Sequence, residues 1–375
     1  MKKFIAILIA IAFIAIAAMP VMAASTEERI TAVEKQLAAS WKFYGSVRMG
    51  TFYANFNPQD MGVNNTKGTT WALQTNARIG ARVTTGDISG HFEYGHNDAG
   101  NGVTLRHLYA TWNFGPGRLL IGQDWTPLFF TINNRVFNND SNMFGAGQIY
   151  GHRRAQINLK FGDFQFAFID PTAGITGAST QVLIPRLEAK YDFKFDAFNG
   201  AVMAGYKTYK VNTNLANENS VTSYIFGLGL KYVPGPFYAG ITGFYAQNHG
   251  NFAGVGPNTG MAMQNGNVAF NGVKRGDENA KTWGAHIAIG YKVNDMITME
   301  AGYGHQEDKW SGQVGAAVEK NKADSYYINV PITVAKNFWI TPEFGMENTK
   351  SKTAGGNSAK LGRNSYFGAK WQMNF

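Results

Sequence analysis

The chain has 375 residues, 45% hydrophobic and 14% aromatic, with 44 Gly, no Cys, 16% charged residues and a formal net charge of +9. The absence of Cys excludes disulfide scaffolds, thiolate metal sites and cysteine nucleophiles, and no internal apolar run is long enough to suggest a bundle of membrane helices. The 34 Lys and Arg are interspersed with 25 Asp and Glu, so the positive balance forms no block of the kind that binds nucleic acid.

Residues 1–23 read as a secretory signal. Lys2 and Lys3 precede sixteen apolar residues from Phe4 to Met19, Pro20 breaks the run, and Val21-Met22-Ala23 supplies a small-residue cleavage site. The run falls short of the ~20 apolar residues of a spanning helix, so an exported chain beginning at Ala24 is expected. Residues 24–40 then read as a short helical extension. Ser25 and Glu28 stand at capping-box spacing, and Ile30, Val33 and Leu37 share one stripe. Helices this short are marginal alone, so the stripe is expected either to pack on the end of the following domain or to meet its copies at an oligomer axis.

From Trp41 to Phe375 the hydrophobic period is two. In Trp71 to Val83 the residues Trp71, Leu73, Ile79 and Val83 alternate with Gln74, Asn76, Arg78 and Arg82, giving one apolar face and one polar, basic face. The same alternation recurs over Phe43–Tyr53, Ala155–Phe161, Leu187–Phe193, Trp283–Tyr291 and Phe367–Phe375. Short turns such as Gly162-Asp163 alternate with longer polar loops such as Pro127–Gly151 and His249–Asp277, and counting between them gives sixteen strands. A soluble sandwich would have to hide Arg78 and Arg82 in its core. A barrel crossing a membrane turns them to water, whereas a charge turned to lipid would cost about 2–4 kcal/mol at mid-bilayer. The fold class expected is therefore all-β, a 16-stranded antiparallel transmembrane β-barrel over residues 41–375, wide enough for an aqueous lumen.

Several ordered motifs resemble the trimeric general (non-specific) porins of the Gram-negative outer membrane. They are Ala77-Arg78-Ile79-Gly80, Gly90-His91-Phe92-Glu93-Tyr94, Arg106-His107-Leu108-Tyr109-Ala110, Gly122-Gln123-Asp124-Trp125-Thr126-Pro127 and His152-Arg153-Arg154-Ala155. Phe367, Trp371, Met373 and the terminal Phe375 resemble the last strand that the barrel-assembly machinery recognises in outer-membrane proteins. The resemblance implies a homotrimer among outer-membrane lipid and lipopolysaccharide. It also implies a third loop, Leu128–Gly151, folded inward, passive diffusion of small hydrophilic solutes and ions, and no cofactor or metal. Barrel-wall arginines map onto Arg78, Arg106 and Arg154, and the lumen carboxylate onto Glu93. Strand parity adds Arg48 and Arg82, and the third loop adds Arg135 and Asp140 as constriction candidates.

In one place hydrophobicity and resemblance conflict. Alternation through Leu108, Ala110 and Trp112 carries Arg106 outward, whereas the resemblance puts it inside. The third loop also departs from the family in having one acid and one base where several acids are usual, so a basic wall facing a nearly neutral loop implies weak anion preference. Two other functions compete. A substrate-specific channel would draw on Tyr44, Phe52, Tyr209, Tyr327, Trp339 and Tyr366 for a sugar, or on the basic wall for phosphate. An enzyme or adhesin of the same architecture is the remote alternative, since none of the seven His lies near a convincing nucleophile motif.

Overall fold

The computed structural model describes residues 40–58, 64–97, 102–137, 146–171, 179–182, 184–212, 218–252, 278–315 and 317–375. The expected signal, nearly all of the helical extension and Asp140 lie outside the described residues.

Sixteen strands close into one antiparallel barrel. They are β1 (Ser40–Asn57), β2 (Thr66–Leu73, resuming as Arg78–Thr85), β3 (Ile88–Asn97), β4 (Gly102–Asn113), β5 (Arg118–Trp125), β6 (Arg153–Phe161), β7 (Phe164–Ile169) and β8 (Ser179–Gln181, resuming as Arg186–Phe195). The second half comprises β9 (Phe198–Asn212), β10 (Glu218–Tyr232), β11 (Phe237–Gln247), β12 (Ala280–Lys292), β13 (Thr298–Trp310), β14 (Val318–Asn329, resuming as Ile332–Ala335), β15 (Phe338–Thr353) and β16 (Ser358–Asn374). Each strand pairs with its sequence neighbour, and β1 pairs with β16 from Ser46↔Asn374 to Asn57↔Arg363, so no sheet edge is left to be satisfied in lipid.

The alternation in the sequence becomes the two faces of the wall. Phe43, Trp71, Ile79, Val103, Phe226 and Phe344 are each more than half exposed on the outer face, which is the surface a lipid solvent requires and water penalises. On β1 the intervening Ser46, Arg48 and Phe52 are buried on the inner face. Tight two-residue turns at Gly86-Asp87, Gly162-Asp163, Asp196-Ala197 and Lys336-Asn337 join strands at one end, with Gly86 and Gly162 at φ 57° and 56°. The longer connections all leave from the other end.

Two interruptions matter for the lumen. In β2, Gln74 to Ala77 loop out between Leu73, opposite Met49, and Arg78, opposite Ser46, which returns Arg78 to the inner face. In β4 the register shifts: Glu93 of β3 faces His107, while Tyr94 faces Leu105. Arg106 is the extra residue of a β-bulge. Leu108 is 52% exposed on the outer face, yet Arg106 and His107 both turn inward, so alternation and resemblance are each right on their own side of the bulge. The bulge is fixed from outside the barrel by Gln123, whose amide donates to the carbonyls of Leu105 (2.9 Å) and Arg106 (3.3 Å).

Candidate functional site: the constriction of the lumen

The connection between β5 and β6 folds into the barrel because it carries apolar side chains that need a surface, and the inner wall opposite supplies one. Leu128, Ile132, Val136 and Ile149 are each no more than 2% exposed, and Leu128 and Ile149 pack with Met203, Ile225, Phe244 and Phe252. Room for them comes from missing side chains. A Cβ at Gly227 would lie 2.4 Å from Ile149, one at Gly229 2.2 Å from Phe130, and one at Gly240 2.6 Å from Ile132. At Gly147, φ is 82° and an added Cβ would lie 2.0 Å from the Ala285 carbonyl oxygen.

Four buried wall carboxylates secure the loop. Glu188 accepts the Leu128 N–H at 3.1 Å. Glu300 accepts the Asn134 N–H at 2.6 Å and its side-chain amide at 2.7 Å, together with the hydroxyls of Tyr327 and Tyr238. Glu343 accepts the N–H groups of Val136 (2.8 Å) and Phe137 (3.1 Å). Glu347 pairs with the Arg135 guanidinium at 3.1 Å. Glu188, Glu300 and Glu343 thereby cap backbone donors of a folded loop that has no ladder of its own, while Glu347 holds the Arg135 side chain.

Arg135 therefore sits elsewhere than its sequence position suggested. It is fully buried between Glu347 and the hydroxyl of Tyr366 (2.7 Å) and anchors the loop instead of presenting a charge to the lumen. Burial works against its charge, but Tyr366, Glu347 and Glu343 more than reverse this, so its pKa is raised above that of an ordinary arginine. Phe137 stacks on Tyr366 at 3.6 Å. Phe52, Tyr209, Tyr327 and Tyr366 are each no more than 5% exposed, so four of the six residues proposed as a sugar-binding stripe are consumed by packing.

Apart from the contact of Val136 and Phe137 with Phe52 of β1, the loop sits on the far wall and leaves the inner face over β1 to β6 open. Here Glu93 is the centre of a cationic cluster. It receives Arg106 Nε at 2.6 Å and the Tyr44 hydroxyl at 2.7 Å, with Arg78 at 3.5 Å and His107 at 3.8 Å. Tyr44 also meets His91 at 2.6 Å, and the Arg82 guanidinium lies 5.6 Å above the Tyr44 ring. His107 reaches Asp124 at 2.8 Å. Tyr44, Arg78, Arg82, Glu93, His107 and Asp124 line a recess of about 450 Å³ with Tyr109 and Trp125. Arg48, buried on the same face, bonds Ser46 at 3.0 Å.

Arg154 continues the inner face on β6, directly opposite Asp124 and exposed to the lumen. Lys160 follows on the same strand, opposite Arg118. Arg186 of β8 is buried against Glu188 at 2.9 Å and donates to the Gly151 carbonyl at 3.1 Å. Bases thus line the open wall on both sides of the loop, while Glu188, Glu300, Glu343 and Glu347 lie beneath it. The structure brings Arg48, Arg78, Arg82, Glu93, Arg106 and Arg154 together and sets Arg135 apart. Sequence reasoning missed Tyr44 as the hydroxyl bridging Glu93 and His91, and missed the loop-securing role of the four glutamates. The available signal was that Glu343 and Glu347 share inward parity on one strand with no base beside them.

A family model described as "Gram-negative porin" matches residues 9–351. No curated protein matches the chain. Among solved structures the fold is similar to that of the outer membrane channel DcaP of Acinetobacter baumannii (TM-score 0.67, 21% identity, covering 91% of this chain and 98% of that one). It is also similar to OmpT of Vibrio cholerae in its trimer form (0.58, 16%, 90% and 100%) and to an anion-selective porin from Comamonas acidovorans (0.56, 12%, 90% and 100%).

Proposed function

We propose an activity for a chain that belongs to the Gram-negative porin family: passive diffusion of small hydrophilic solutes through a water-filled channel of the outer membrane, with a preference for anions. The observation that carries the preference is the division of charge by the folded loop. Glu188, Glu300, Glu343 and Glu347 are buried beneath it, whereas Arg82 and Arg154 remain exposed to the lumen, and Arg78 and Arg106 outnumber the Glu93 that they share. In a narrow passage with low-dielectric walls such a field raises the local concentration of the opposite ion. Arg48, Arg78, Arg82, Glu93, Arg106 and Arg154 are the residues assigned to it.

The test is the reversal potential in a salt gradient across a planar bilayer. It is expected to show anions as the more permeant species, increasingly so at low ionic strength, where screening lengths grow; a cation preference overturns the assignment. We assign a homotrimer as the working assembly, in keeping with the fold shared with a porin solved as a trimer, and expect three equal conductance steps. A second reading, a channel with a saturable anion site, is favoured by the recess that places Arg78 and Arg82 beside Tyr44 and Trp125. Concentration-dependent current block by phosphate would select it over free diffusion.

A further inference from the structure

The recess beside Glu93 carries a polar atom that nothing in the described chain satisfies. His91 is 7% exposed and lines the recess with Tyr44, Arg78, Arg82 and Trp125, and its Nδ1 has no hydrogen-bond partner among the described residues. The role of that atom follows from the bonds around it. A carboxylate can only accept, so the Tyr44 hydroxyl donates its single proton to Glu93, at 2.7 Å. The 2.6 Å contact between Tyr44 and His91 Nε2 must then run from Nε2–H to the hydroxyl oxygen. A second proton on the ring would set an imidazolium directly opposite Arg82 on the neighbouring strand, with His107 stacked on it at 5.1 Å and Glu93 already shared by Arg78 and Arg106. The network therefore assigns a neutral His91 whose Nδ1 is a bare acceptor, and a buried acceptor without a donor is destabilising.

The other side of the recess calls for the opposite kind of group. Arg82 is exposed to the lumen, its guanidinium 5.6 Å over the Tyr44 ring, and Arg78 keeps 27% of its side chain exposed while meeting Glu93 through Nε. The planar fork of a guanidinium matches a planar carboxylate. Arg82 and His91 stand opposite each other on neighbouring strands, a spacing of ~4.8 Å, so a molecule that bridges them must carry its hydroxyl close to its carboxylate. A 2-hydroxy carboxylate does so: its carboxylate accepts from the arginines and its adjacent O–H donates to His91 Nδ1. Sulfate and unsubstituted carboxylates have no proton to donate there.

We propose that this recess is a binding site for small 2-hydroxy carboxylates, with His91 as the residue that reads the hydroxyl. This ligand class rests on the recess being a saturable anion site, and the preference for the hydroxyl goes beyond it. The full-length protein in a planar bilayer, carrying chloride current, is titrated with lactate and with propanoate, which differ by that one hydroxyl. A site built around a ligand hydroxyl rejects the analogue that lacks it, because its own buried polar group is then left unpaired. Both acids are expected to reduce the current saturably, lactate reaching half-block at a concentration about ten-fold lower, as one hydrogen bond to a buried acceptor implies. His91→Phe keeps an aromatic ring against His107 and Tyr109 and removes the acceptor, so lactate should lose its advantage while block by propanoate persists. Arg82→Gln should weaken both acids alike and preserve their ratio. The comparison of the two acids on the parent protein needs no variant and serves if His91→Phe does not fold. Equal half-block concentrations on the parent, or an unaltered ratio in His91→Phe, would overturn the role of His91 and leave a plain anion site. Absence of saturation with both acids would remove the anion site itself.

Discussion

Glu93 holds its place because three cationic or hydroxyl donors converge on it, and this makes it both a structural and an electrical element of the lumen. Glu93→Gln keeps the shape and removes the charge. A unit charge about 8 Å from an ion in water is worth ~0.5 kcal/mol, with opposite sign for anions and cations, so the anion-to-cation permeability ratio should rise about five-fold, measured by reversal potential. The buried Arg106 loses its counter-charge at the same time, a loss of about 3 kcal/mol that denaturant unfolding would register. Glu93 and Arg78 lie on the inner face that the alternation assigns them because the interruption between Leu73 and Arg78 adds an even number of residues against β1 and leaves the parity unchanged. The sequence leaves Arg106 in conflict because a bulge shifts parity by one, and the hydrogen bonds of Gln123 that stabilise it are made across strands. Another residue-scale effect is found at His249, on the short helical turn His249–Asn251. It is fully buried, stacked on Phe244 at 4.6 Å, and neither ring nitrogen has a partner among the described residues. Burial holds its pKa down at about 4, below the ordinary 6.5, so the folded state disfavours the proton. Stability from this residue is complete above pH 6.5 and falls as pH drops toward 4. His249→Phe should flatten that part of the pH dependence in denaturant unfolding, and an unchanged profile would remove His249 as its source.

At the level of elements, the strands could be read in the sequence because each has one lipid face and one lumen face, but the docking of the third loop could not. That docking depends on inward glycines from β9 to β13, whose role becomes visible only when the loop's apolar residues are laid against them, and on glutamates that pair with backbone N–H groups carrying no sequence signature. The glycine row makes a direct prediction. Gly229→Val places a branched side chain where Cβ alone would lie 2.2 Å from the Phe130 ring, in a strand whose backbone accepts valine readily. Overpacking of this kind costs about 1–3 kcal/mol, and the loop is the softer partner. The barrel should still form, retaining its resistance to unfolding in detergent, while the loop moves toward the axis and single-channel conductance falls. Unchanged conductance with a folded barrel would mean that the loop does not border the narrowest part of the passage.

On the scale of the whole molecule, closure is made by the two ends of the chain, and a barrel is stable only once the last strand finds the first. The register from Ser46↔Asn374 to Asn57↔Arg363 is completed by reciprocal backbone hydrogen bonds between Gly45 and Phe375 at 2.8 and 3.1 Å. Phe367, Trp371 and Met373 lie on the outer face at 59%, 43% and 53% exposure. Trp371 donates to Thr51 at 3.0 Å, and Tyr53 lies 5.4 Å from Phe367 across the seam. The Phe375 ring, itself 70% exposed, lies over Gly45, where a Cβ would come within 2.2 Å of it. So exposed a ring contributes little to the closed barrel, and deleting Phe375 removes two hydrogen bonds at the frayed end of a long ladder, worth about 1 kcal/mol each. If the terminal aromatic pattern is instead read by the assembly machinery before closure, deletion should act on the route and not on the product. Refolding from urea into detergent should then proceed with nearly parental yield and conductance, while the amount of folded barrel in the outer membrane of expressing cells falls several-fold. Equal losses in both settings would place the role of Phe375 in the seam itself, and equal yields in both would remove it from assembly.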